Sequence, residues 1–214
     1  MGDNKVKMKN KKMSVLVISI DKEIIELVNE TKVFKILGVI DRFKKSNVFG
    51  YPILGEDSAW QKISKKIPNL KVILAVDPPK RKKRLAYYYG IKSLATLISD
   101  DAYISDSAVL GKGCILQRGI KIMSSVKIGI ACKMNVNAVA HHDTIVGDFC
   151  TLAPGSMLLG GVEVGDNVFV GAGSIVLPKV KIGSNSVIGA GAVVVKNVTA
   201  NSVVAGVPAR KLLK

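Results

Sequence analysis

The hydrophobic and polar positions divide the chain into two halves with different periods. In the first half, unbroken apolar runs alternate with stretches of helical spacing. SVLVISI (Ser14 to Ile20), ILGVI (Ile36 to Ile40) and VILAV (Val72 to Val76) suit strands covered on both faces. Behind Asp21, a capping residue, Ile24, Ile25, Leu27 and Val28 fall on one helical face. Asp57 to Lys66 and Pro79 to Tyr89 read as two further helices. This β-α-β-α order predicts a small parallel sheet with crossover helices. Such sheets bind ligands at the carboxyl ends of their strands, here Ser19 to Asp21, Asp41 to Arg42 and Asp77 to Pro78.

The second half is a repeat of six. From Ile104, every sixth residue to Val194 is Val, Ile, Leu or Met, with Ala140 the one exception among 16 positions. Four residues further on, each unit carries a mostly small or β-branched residue, as at Ala108, Cys114, Val126, Cys132, Ala138 and Thr144. Glycine follows the aliphatic at 111, 129, 147, 165, 171, 183 and 189, where sharp corners are expected. A period this short predicts a flat-sided parallel β-helix, with three sides closing a coil of 18 residues. Cys114, Cys132 and Cys150 then stack on successive coils. Rungs about 4.8 Å apart put the outer two near 10 Å from each other, too far for one tetrahedral zinc. The stack therefore reads as small inward residues and not as a metal site. The expected units are residues 14–101 and 102–214.

Composition narrows the classes. Hydrophobic residues make up 48% of the 214 and charged residues 22%, against disorder and against a coiled coil. No apolar run approaches the ~18 residues of a membrane span. The basic start leads into an apolar stretch without an A-x-A-like cleavage site, so Val15 to Ile20 reads as a strand and not as a signal peptide. Three cysteines form no disulfide framework and fit a cytoplasmic protein. The net charge of +16 splits as +10 over residues 1–103 (21 basic, 11 acidic) and +6 over the rest (11 and 5). Five lysines lie in the first 12 residues, and KRKKR spans Lys80 to Arg84. No aromatic platform or reading helix accompanies these charges. They favour small phosphorylated molecules over nucleic acid.

A column filled by stacked aliphatics has no room for a ligand, so its chemistry lies on its outer walls. A flat prism tends to pair with its own copies, which predicts a homo-oligomer with clefts between neighbours. Both histidines, His141 and His142, stand before Asp143, and Asn135 lies seven residues before His142. A corner histidine beside an acid can cap a turn or act as a base.

Hexapeptide repeats ending in AGVPARKL (Ala205 to Leu212), a small parallel domain ahead of them, N-x6-H-D, GDF and the PG-x4-GG string carry a resemblance. From Ser14 to Lys214 the chain resembles the left-handed β-helix nucleotide-amino-sugar N-acetyltransferases, also known as sugar O-acyltransferases. The resemblance implies a Rossmann-like nucleotide-sugar-binding unit followed by a left-handed β-helix acyltransferase unit. It implies a homotrimer, acetyl-CoA as co-substrate and no metal. His142 is then the general base for the attacking amine, Asp143 fixes its tautomer, and Asn135 orients His142 or a reactant. Gly160, Ala172 and Ala190 match the acetyl-CoA-contacting stretch. Arg210 and Lys211 either meet CoA phosphates or form a solvated terminus.

Two departures stand out. Where relatives carry a second histidine against acetyl-CoA, this chain has Thr151. Where they carry G-x-G-G-H after the first strand, it reads ISIDKEI, and Asp77 replaces a glycine after the third. Ser19, Ile20, Asp41, Arg42 and Asp77 occupy the expected nucleotide-sugar site, which is either rebuilt, with Arg42 and the Lys80 to Arg84 cluster, or lost. Rival readings are an acetyltransferase for another amine or hydroxyl acceptor and a non-catalytic trimeric scaffold. A γ-type carbonic anhydrase needs three zinc-binding histidines, and the chain has two, adjacent in sequence.

Overall fold

The structure, a computed structural model, describes residues 12–42 and 47–212; the lysine-rich start, residues 1–11, lies outside them. The first unit runs β1 (Met13–Ile18), α1 (Lys22–Glu30), β2 (Phe34–Ile40), a short hairpin of β3 (Asn47–Val48) and β4 (Tyr51–Pro52), α2 (Ala59–Lys66), β5 (Lys71–Leu74) and α3 (Pro79–Tyr89). Strands β2, β1 and β5 form a parallel sheet in that order. Alternate residues of β1 face opposite ways, as a pleat requires. Val15 and Val17 pack under Ile24, Leu27 and Val28 of α1. Leu16 and Ile18 pack with Trp60, Leu85 and Tyr89 of α2 and α3. Asp21 caps α1, accepting the Ile24 amide at 3.1 Å.

From Leu97 onward the chain winds as a left-handed parallel β-helix. Two-residue strands stack into three walls of eight, six and five strands. Until the last coil, each strand pairs in parallel with the one 18 residues on, as Lys121 with Val139 and Lys127 with Ile145. The six-residue aliphatic series and its small companions form one continuous buried core. The column begins before residue 102, because Leu97–Ile98 already pairs with Ile115–Leu116 on its first wall. The first unit sits on that same wall: Leu97 and Ile115 join the α1 side of its core, and Ala131 and Phe149 the α2–α3 side.

The corners correct one expectation. The glycines after the aliphatics do not supply turn conformations. That role belongs to another phase, in which every sixth residue from Gly113 to Gly191 has φ between 50° and 75°. Gly, Asn and Asp dominate this series, as left-handed backbone favours. Gly165 and its equivalents are required by close approach instead. A Cβ on Gly165 would lie 2.7 Å from the Ser184 amide nitrogen of the next coil. The cysteines are buried, and each thiol donates to a carbonyl one coil on, Cys132 to Gly147 at 3.1 Å and Cys150 to Gly165 at 3.1 Å.

Candidate active site

His142 stands on the corner between the second-wall strand Val139–Ala140 and the third-wall strand Ile145–Val146. Backbone bonds pin this corner to both neighbouring coils: the Asp143 amide donates to Ser124, and the Gly161 amide to the His142 carbonyl at 2.9 Å. Asp143 occupies a left-handed position, φ 59°. Its Oδ2 lies 2.8 Å from Nδ1 of His142. A carboxylate there accepts an Nδ1 proton, so the neutral ring carries its lone pair on Nε2. The His142 side chain is 58% exposed, and Asp143 is exposed beside it. His141 packs edge-on against the ring, its centroid 5.2 Å away.

Gly160 lies one coil above and serves the histidine directly. A Cβ there would be 2.5 Å from Nε2 and 2.6 Å from Cε1. The Nε2–Cε1 edge of the imidazole therefore lies against bare backbone, in space that the Cβ of any other residue would fill. Ala172 and Ala190, expected with Gly160 on one cofactor surface, stand exposed on a different corner, where the first wall leads into the second; the Gly191 amide donates to the Ala172 carbonyl.

Asn135 begins the same corner two coils below Ala172, at the opposite end of Val139–Ala140 from His142. It is buried, its amide nitrogen donates to the Leu152 carbonyl at 3.0 Å, and among the described residues it has no bond to His142. Arg210 is exposed in a short terminal strand. With Lys196 and Lys211 it lines a basic hollow of about 440 Å³.

Thr151 requires a correction. It was expected against acetyl-CoA, yet it is wholly buried under the first unit. Its hydroxyl donates to the Asp77 carbonyl at 2.8 Å and accepts from Lys82 Nζ at 2.7 Å. Lys82, on the inner face of α3, also donates to the Cys150 carbonyl at 2.8 Å. Burial pushes the Lys82 ammonium down from 10.5 to about 8. Asp77, expected at the nucleotide-sugar site, reaches toward the column. Its Oδ2 meets Lys133 Nζ at 3.0 Å, and the same lysine reaches Asp21 at 3.4 Å. That carboxylate is thus engaged at the seam with the column. Lys133 holds the phase of the exposed Lys121 and Lys127, so nothing in the repeat distinguished it.

The other substrate-site residues do come together. Ser19, Asp41 and Arg42 line a cleft of about 390 Å³ at the carboxyl ends of β1 and β2, with Glu56, Asp57 and Ser58 on one side and Arg81 and Arg84 of α3 on another. Ser19 keeps φ 75° without being glycine, and the Ile20 amide donates to Asp41 Oδ2 at 3.0 Å.

The family of bacterial transferase hexapeptide repeats (six repeats) matches residues 161–196. No curated protein matches the sequence. Among solved structures, a perosamine N-acetyltransferase variant from Caulobacter crescentus, in complex with CoA and GDP-perosamine, is similar at TM-score 0.89 and 28% identity, over 94% of this chain and 97% of its own. WeeI from Acinetobacter baumannii AYE is similar at TM-score 0.84 and 28% identity, over 94% and 100%. The acetyltransferase domain of PglB from Neisseria gonorrhoeae FA1090, in complex with acetyl coenzyme A, shares the fold at TM-score 0.88 and 24% identity, over 94% and 100%. Residues 161–196 thus carry the repeat of the bacterial hexapeptide transferases, and over 94% of its length the chain has the fold of these acetyltransferase structures.

Proposed function

We propose that the protein transfers the acetyl group of acetyl-CoA directly to the amine of a nucleotide-linked amino sugar. The observation that carries this reading is the His142 pair: Nδ1 held by Asp143 at 2.8 Å, and Nε2 beside the bare backbone of Gly160 on an exposed ring. The amine must lose a proton as it attacks the thioester carbonyl. Nε2 is the acceptor positioned to take it, and it can return that proton to the departing CoA thiolate. Backbone amides near Gly160 would stabilise the oxyanion. The three cysteines are buried inside the column, so no thiol is placed as an acyl carrier. The CoA-bound relatives and GDP-perosamine in one of them support the two substrates.

The His142 corner and the Asn135–Ala172–Ala190 corner lie at opposite ends of the second wall. A homotrimer about a three-fold axis would bring one chain's first corner against its neighbour's second, with acetyl-CoA between them and Arg210 near its phosphates. No helix among the described residues is long and apolar enough to cross a membrane. Buried thiols are in keeping with a reducing cytoplasm. The test is release of CoA thiol with UDP-, dTDP- and GDP-linked amino sugars, for wild type and His142→Ala. The variant should lose at least ~100-fold in kcat with its melting temperature unchanged. Wild-type turnover in His142→Ala would end the assignment.

A further inference from the structure

We infer that the outer face of α2 and α3 is a docking surface for a membrane rich in anionic lipid. The first unit is charged unevenly about its sheet. On one side, α1 sets Lys22 among Glu23, Glu26 and Glu30, and Lys22 pairs with Glu26 at 3.8 Å. On the other, α2 carries three lysines and α3 five basic residues, and neither helix holds an acid. Both helices pack on that same side, Trp60 of α2 against Tyr89 of α3 at 5.4 Å, so their solvent faces look outward together. Lys62, Lys65 and Lys66 of α2 and Lys80 and Lys83 of α3 have no hydrogen bond or ion pair with another described residue. None of these five lines the cleft at the ends of β1 and β2.

Folding does not account for the charges on α3. Lys65 and Lys66 suit the carboxyl end of α2, but the basic run of α3 begins directly behind Pro79, where the helix dipole disfavours cations. Lys80 also lies three residues from Lys83 and four from Arg84, a spacing at which like charges repel. An external anionic surface would relieve both costs. All five groups are lysines, point charges without the bidentate geometry of arginine, which suits a field of headgroups better than one fixed phosphate. Tyr87 stands 62% exposed beside them, an amphipathic ring of the kind that settles at the membrane–water boundary. The position of the face keeps it open. Tyr87 and Lys83 lie 5.7 and 5.8 Å from the ring of Phe149, on the corner between the third and first walls. The His142 and Asn135 corners, which the proposed trimer joins, bound the second wall instead.

The test is cosedimentation of the full-length protein with vesicles of phosphatidylcholine alone and of phosphatidylcholine with about one-third phosphatidylglycerol. Wild type should bind the anionic vesicles and not the neutral ones. Binding should fade between about 0.1 and 1 M salt, as the screening length falls from about 10 to about 3 Å. A lysine close to an anionic leaflet is worth about fivefold in partition. Lys62→Gln, Lys65→Gln and Lys66→Gln together should therefore weaken binding on the order of 100-fold. Lys80→Gln with Lys83→Gln should weaken it by about tenfold or more, while the melting temperature holds or rises because repulsion is relieved. Lys35→Gln, Lys112→Gln and Lys127→Gln together remove three exposed charges away from the face and should leave binding as it is. Every variant keeps the lysine-rich start, so its contribution is common to all. Membrane docking is overturned if wild type ignores the anionic vesicles or takes up neutral ones equally. It is also overturned if the helix variants bind as wild type does, or if the Lys35, Lys112 and Lys127 variant weakens as much as they do. Retention on heparin or polyglutamate that the helix variants abolish, without vesicle binding, would assign the face to a soluble polyanion and end the membrane reading.

Discussion

Gly160→Ala separates catalysis from stability with a single methyl. Gly160 has no left-handed φ, so alanine adds no backbone strain there. The added Cβ would sit 2.5 Å from His142 Nε2, whereas ordinary contact begins near 3.4 Å. The imidazole must therefore move by about 1 Å, a displacement that costs a reacting group on the order of 100-fold in rate. Moving an exposed ring is cheap in folding terms, below about 1 kcal/mol. The expected result is a kcat close to that of His142→Ala, with an unchanged melting curve and little change in acetyl-CoA KM. Thiol release at saturating substrates gives kcat, and thermal denaturation by circular dichroism gives stability. A Gly160→Ala enzyme with wild-type kcat would show that Nε2 is not the working atom. A raised acetyl-CoA KM with kcat preserved would instead make Gly160 a cofactor contact.

Three further outcomes follow from the seam and the corners. Lys82 titrates at about 8 when folded and near 10.5 when unfolded, so from pH 8 to 10.5 the unfolded state holds more protons and this group makes stability rise with pH. The full rise is about 3 kcal/mol; denaturant unfolding at pH 7.5 and 10 should show it in wild type and not in Lys82→Met, and equal pH dependence in the two would contradict the buried charge. Thr151→Val removes an acceptor from the Lys82 ammonium and should cost about 1–3 kcal/mol with acetyl-CoA KM unchanged; a changed KM would return Thr151 to the cofactor site. Gly165→Val drives a side chain into the Ser184 backbone and should destabilise by at least about 2 kcal/mol, measured by urea unfolding, and a neutral result would sink the close-approach account.

The column was legible because its period is a local property. Each aliphatic of the six-residue series faces inward by strand geometry alone, and the 18-residue spacing of the cysteines follows from three sides. His142 beside Asp143 was legible for the same reason, since neighbours in sequence at a corner are neighbours in space. The corner glycines were misassigned because sequence shows that a residue is small without showing whether φ or a neighbouring coil demands it. Gly165 needs room and Asn167 bends the chain, and only the stacking of coils tells them apart.

What tertiary structure decided is everything that depends on the first unit lying on the first wall. That contact buries Thr151, Lys133 and Lys82. It engages Asp77 with Lys133 and leaves Arg81 and Arg84 on the cleft. Burial of this kind joins residues 56 to 112 positions apart, and no periodicity within either half carries that information. The sequence by itself set the two folds and the pairing of His142 with Asp143; the packing of one unit against the other determined which charges are spent on structure and which remain exposed.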